Sequence, residues 1–81
     1  MEKQELLTKV KEVLARVLKM SPDEIADDAN FVFDLGADSM QSIQLVAAFE
    51  EEFGIIMDQD KALSVQTVNA AADFIEAYLK N

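Results

Sequence analysis

Asp38-Ser39-Met40-Gln41-Ser42-Ile43-Gln44-Leu45-Val46-Ala47-Ala48-Phe49-Glu50-Glu51-Glu52-Phe53-Gly54 is the stretch on which the fold turns. Ile43, Val46, Phe49 and Phe53 follow the helical period, with Leu45 beside them, which is the spacing of one apolar face. Asp38 or Ser39 offers a start, because a short oxygen-bearing side chain can accept a free backbone N–H of the first turn. Gly54 offers the stop, since glycine enters a left-handed cap without steric cost. A helix from about residue 38 or 39 to residue 53 follows.

The same period extends in both directions. Leu6, Leu7, Val10, Val13, Leu14, Val17 and Leu18 form one stripe and predict a first helix near residues 3–19, with Lys3, Glu5, Lys9, Glu12 and Arg16 mostly off it. Ser21-Pro22-Asp23-Glu24 stops that helix and, with Ser at a cap, Pro next and Glu three residues on, starts a short helical turn. Residues 26–37 read as a long ordered loop that Phe31, Val32, Phe33 and Leu35 pin to the core, with Gly36 supplying a turn. Asp58 to Leu63 reads as a short third helix, and Ser64 to Thr67 as a link. A last helix is expected over Val68 to Leu79, with Val68, Ala71, Ala72, Ile75, Tyr78 and Leu79 inward. Gly54-Ile55-Ile56-Met57 is β-branched but short and without a partner strand, so it is read as a buried connection. The expected fold is all-α: a small antiparallel four-helix bundle, three helices longer and one short, with a long first loop, forming a single domain over residues 1–81.

Composition removes most chemistries. The 81 residues include no Cys and no His. Disulfides, a cysteine nucleophile, Cys-based zinc sites and the Ser-His-Asp arrangement are all excluded. An enzyme could still run on carboxylates and Lys, but a carboxylate-based hydrolase has little else to work with, and no catalytic residue is assigned. Sixteen acidic residues against seven basic give a formal charge of −9, which repels phosphate backbones and anionic membrane surfaces. The charge either keeps a small protein dissolved or steers it toward basic patches on partners, and composition does not choose between these. No apolar run approaches the roughly 20 residues that span a bilayer. Met1-Glu2-Lys3-Gln4-Glu5 is charged and precedes no signal-type stretch, so a cytoplasmic monomer without membrane insertion is expected. The acids at Asp27, Asp28, Asp58 and Asp60 lack the regular Asp/Asn spacing, Gly and terminal Glu of a calcium loop, and no metal site is assigned.

Phe33-Asp34-Leu35-Gly36-Ala37-Asp38-Ser39-Met40 is the segment with chemical content. It places Ser39 in the first turn of a helix, among free N–H groups at the positive end of the dipole. A phosphodiester on Ser39 would be electrostatically comfortable there. Nothing nearby could activate the hydroxyl, because Asp38 alone is a weak base. Ser39 is better suited to being modified than to attacking. The plainer reading is that an Asp-Ser pair before a helix is only a cap.

Leu35-Gly36-Ala37-Asp38-Ser39-Met40 resembles the attachment motif of the acyl carrier protein family, Leu-Gly-(Ala or Gly)-Asp-Ser-Leu. The resemblance continues through Asp27-Asp28-Ala29-Asn30-Phe31-Val32-Phe33-Asp34, Leu45-Val46, Phe49-Glu50-Glu51-Glu52-Phe53 and Val65-Gln66-Thr67-Val68, and covers nearly the whole chain. It implies that Ser39 bears 4′-phosphopantetheine, transferred from coenzyme A by a phosphopantetheinyl transferase with magnesium. It also implies that the distal thiol carries an acyl group as a thioester, in fatty acid, polyketide or specialised lipid biosynthesis. It implies further that ketosynthase or acyltransferase-type enzymes dock by basic patches on the helix after the serine. Asp38, Met40, Gln41, Gln44, Ala47, Glu50 and Glu51 are the candidate partner contacts. Ile43, Val46, Phe49, Ile56 and Ala71 are the candidate lining of an acyl cavity, their ordinary role being core packing.

The pattern has departures. Gln41 and Gln44 stand where fatty-acid-synthesis carriers commonly show acids, Met40 replaces Leu, Ala47 replaces a larger apolar residue, and Met57-Asp58-Gln59 replaces a common Ile-Pro-Asp run. A specialised carrier and tolerated drift in an ordinary one both remain open. So do two other readings: an aminoacyl or peptidyl carrier of a nonribosomal-type pathway, and an unmodified helical interaction module in which Ser39 is merely a cap.

Overall fold

In a computed structural model that describes residues 2–80, helix α1 covers Lys3–Leu18 and is followed by a single 3₁₀ turn over Pro22–Glu24. Helices α2 (Ser39–Phe53), α3 (Gln59–Ser64) and α4 (Val68–Leu79) complete the order. Met1 and Asn81, the ends of the expected domain, lie outside the described residues. The architecture is a small helical bundle of three longer helices and one short one, with a long first loop.

Helix α1 is the pole of the bundle, packing against both α2 and α4, while α3 packs on α2. The expected stripe supplies its buried side: Leu6, Leu7, Val10, Val13 and Leu14 are buried, with Val17 and Leu18 partly so. Val68, Ala72 and Ile75 meet them from α4 and are equally buried. The helix stops at Lys19, whose φ of 59° is left-handed and whose N–H donates to the Ala15 carbonyl. Ser21 accepts a bond from the Asp23 N–H at 3.4 Å and so opens the 3₁₀ turn.

The first loop departs from expectation in part. Phe31 is buried and Leu35 packs partly against the core, but Val32 is 50% exposed and Phe33 85% exposed. The reason is a tight hydrogen-bonded turn. The Asn30 side chain accepts from the N–H groups of Val32 and Phe33, and the Asn30 carbonyl accepts from Asp34 and Leu35. Residues four apart then share a side, so Phe31 and Leu35 face inward while Val32 and Phe33 face water. The loop is tied to the start of α4 by Phe31 N–H to the Gln66 carbonyl, Val68 N–H to the Ala29 carbonyl and Asn69 N–H to the Asp27 carbonyl.

The connection after α2 is also only partly buried. Gly54 caps α2 with φ 65°, as expected. Beyond it the chain is extended and side chains alternate. Ile55 and Met57 turn inward and Ile56 is 87% exposed, which corrects the reading of a wholly buried link. Two side chains hold this connection: Glu50 Oε2 accepts from Met57 N–H at 2.8 Å, and the Tyr78 hydroxyl accepts from Asp58 N–H at 2.9 Å. Leu79, expected inward, is exposed at the C-terminal end of α4.

Charge is segregated along the chain. Lys3, Lys9, Lys11, Arg16 and Lys19 all belong to α1 and its cap, whereas residues 20–60 hold eleven acids and no Lys or Arg. Some of the α1 cations are used in joining elements: Lys9 and Arg16 approach Glu52 of α2, Lys11 pairs with Asp27, and Lys3 with Asp73 of α4. Among the described residues no helix is long and apolar enough to cross a membrane.

Candidate functional site

The site is built on the entry to α2. Ala37 is buried, and its N–H donates to the Phe31 carbonyl at 2.8 Å, which fixes the chain just before the helix. Asp38 follows in an extended conformation and caps α2. Asp38 Oδ1 accepts from the Gln41 N–H at 2.8 Å, and Gln41 Oε1 accepts from the Asp38 N–H at 3.1 Å. The pair is a reciprocal capping box. The Ser42 hydroxyl adds a bond to the Asp38 carbonyl at 3.0 Å.

Ser39 is therefore the first residue inside the helix and not its cap; that task belongs to Asp38. Its side chain is exposed at the opening turn. The N–H groups of Ser39 and Met40 precede any carbonyl acceptor within the helix and point along its positive end. The reading of Ser39 as merely a cap loses its basis here.

The candidate contact residues divide into two sets. Met40, Gln44, Ala47 and Glu51 are exposed on one strip of α2, together with Ile43, and Asp38 is exposed at its head. Gln41 and Glu50 are half-buried and occupied, the first in the capping box and the second on Met57 N–H. Ile43 is 50% exposed because the buried stripe of α2 runs through Leu45, Val46 and Phe49, one step around the helix from it.

An apolar cavity of about 40 Å³ lies between α2, α3 and α4. Val46, Phe49 and Ala71 line it, as do Phe31, Leu45, Met57, Ala62, Phe74 and Ile75. No residue of α1 contributes. Ile43 and Ile56, both offered as lining residues from sequence, lie outside it and face solvent. The added members were partly legible: Ile75 is one helical turn beyond Ala71, and Leu45 adjoins Val46. Phe31 and Met57 come from irregular segments, where no period marks the inward face.

Comparison with known proteins gives this geometry its context. Residues 8–75 match the family model described as "Phosphopantetheine attachment site". An acyl carrier protein of Sulfurovum sp. (strain NBC37-1) is 48% identical over 71 residues, covering 88% of this chain and 95% of that one. An acyl carrier protein of Bradyrhizobium sp. (strain ORS 278) is 40% identical over 77 residues, covering 95% and 98%.

The chain belongs to the acyl carrier protein family. The carrier is not an enzyme, and its prosthetic group is 4′-phosphopantetheine, which supplies the thiol that a chain without cysteine lacks. The entry to α2 fits such a group: it offers an exposed hydroxyl, unpaired N–H groups of the first turn and a helix dipole of the sign that favours a phosphodiester. A carrier works by meeting a phosphopantetheinyl transferase and the enzymes that use the arm.

Proposed function

We propose that Ser39 Oγ is the attachment atom, and that the protein carries acyl intermediates as thioesters for fatty acid, polyketide or specialised lipid biosynthesis. The observation that carries this reading is the division of labour at the helix start. Asp38 and Gln41 close the cap, Ser42 bonds to the Asp38 carbonyl, and the Ser39 hydroxyl is left exposed. In the transfer, Ser39 Oγ attacks the phosphorus of coenzyme A that bears the pantetheine. A new phosphate ester bond forms, the anhydride bond to the adenosine bisphosphate breaks, and that bisphosphate leaves. The serine proton passes to a base on the transferase, because this chain has no His to receive it. Met40, Gln44, Ala47 and Glu51 form the strip that meets ketosynthase or acyltransferase-type enzymes, Asp38 stands at its head, and the partners answer with basic patches.

Val46, Phe49 and Ala71 are read as shelter for the acyl chain. At 40 Å³ the cavity admits a few water-sized groups, one needing about 10–15 Å³ on this scale, so a long cargo must part α2 from α4. A cytoplasmic monomer is the natural setting, since copies of charge −9 repel one another. The test is mass spectrometry after incubation with coenzyme A, magnesium and a phosphopantetheinyl transferase. The mass should rise by one phosphopantetheine unit, Ser39→Ala should abolish the rise and Ser42→Ala should retain it. A wild-type chain left unmodified would sink the reading.

A further inference from the structure

We infer that Phe33, on the loop outside α2, is an apolar anchor that the phosphopantetheinyl transferase seats in a nonpolar pocket rimmed by basic side chains. The inference rests on the proposed modification of Ser39 and adds to it a recognition residue off the helix. Phe33 is an aromatic side chain 85% exposed to water, with Val32 beside it at 50%. A mobile loop could fold such a ring away. This loop fixes the backbone that carries it: Asn30 Oδ1 binds the Phe33 N–H at 2.9 Å, Asp34 Oδ2 binds the Asn30 N–H at 2.7 Å, and Gly36 N–H reaches the Val32 carbonyl. The last of these bonds, with Ala37 N–H on the Phe31 carbonyl, folds Val32 and Phe33 back beside the residues that lead into Ser39. Rigid, pre-positioned aromatics of this sort carry a disproportionate share of interface energy.

The surroundings specify the occupant. Asp34 and Asp38 follow the ring in sequence, and no Lys or Arg occurs between residues 19 and 61. The patch is apolar in a uniformly acidic field. A second copy of this chain docking through the same face would bring the same charge and be repelled, as would an anionic lipid surface. A protein with a greasy pocket ringed by cations is complementary. The loop leads directly into Asp38 and Ser39, so the enzyme that modifies Ser39 is the partner whose surface it adjoins.

The experiment is steady-state modification of the full chain by a phosphopantetheinyl transferase, with coenzyme A and magnesium saturating and the carrier varied. Phe33→Glu is expected to raise KM for the carrier about tenfold with little change in kcat, as for loss of one good anchor. Phe33→Leu should recover most of the loss. Circular dichroism should show both variants folded, since the ring is not part of the core. Unchanged KM in Phe33→Glu, a defect confined to kcat, or failure of that variant to fold would each overturn the anchor while leaving Ser39 modification intact. An unmodified wild type would instead remove the reading on which the anchor rests.

Discussion

Asp38 and Ser39 adjoin in sequence, yet they answer to different measurements. Asp38→Ala deletes the acceptor for the Gln41 N–H. It should cost about 1 kcal/mol, the usual worth of an N-cap, and lower Tm by about 4–8 °C in a domain of this size. Ser39→Ala should shift stability by less than about 0.5 kcal/mol, because its hydroxyl closes no bond of the cap. Thermal melts of the two variants separate the roles, and equal losses would contradict them. Gln41 has an intramolecular task as well: its side chain binds back to Asp38 N–H. Glu performs the same task, so Gln here keeps the cap while removing a charge. Gln41→Glu should therefore hold or raise stability by about 0.3–1 kcal/mol at low ionic strength, through the helix dipole. A loss in urea titration would show that the box does not tolerate the carboxylate.

Helix ends and the connections between them carry their own predictions. Lys19 closes α1 with a positive φ that a side chain adopts reluctantly. Lys19→Gly should raise the unfolding free energy by about 0.5–1 kcal/mol, as glycine does at left-handed caps. Tyr78→Phe removes the acceptor for Asp58 N–H and should cost about 0.5–1.5 kcal/mol. It should also speed amide exchange at Asp58, and unchanged exchange would deny Tyr78 its hold on the connection. At this scale the sequence was a good guide wherever a helix ran. The bounds of α2 and α4 follow from Gly54 and the 3.6-residue period, because burial of one face imposes that period. It was a poor guide between helices. Phe31 and Phe33 look alike in the sequence, and only the Asn30-centred turn sends one inward and the other out. Ile55 and Ile56 differ for the same kind of reason, a local alternation that composition does not record. Within the candidate site, the exposed place of Ser39 in the first turn of α2 was legible from the sequence, whereas the tying of Glu50 to Met57 N–H depends on a fold that brings α2 against its own exit.

At the scale of the molecule, a charge of −9 on 81 residues is a strain on the folded state. Raising ionic strength from about 0.01 M to 0.15 M shortens the screening length from about 30 to 8 Å and should raise Tm. A Tm that does not move would mean that the ion pairs from α1 to Asp27, Glu52 and Asp73 already offset the repulsion. The uneven placement of that charge matters separately from its size. With five of its seven cations on α1 and its cap and eleven of its sixteen anions between residues 20 and 60, the carrier bears its charge unevenly. In the field of a cationic enzyme such a body feels a torque before it feels a contact. The acidic middle of the chain is drawn toward the cations ahead of α1, and the bias weakens as salt erases the field.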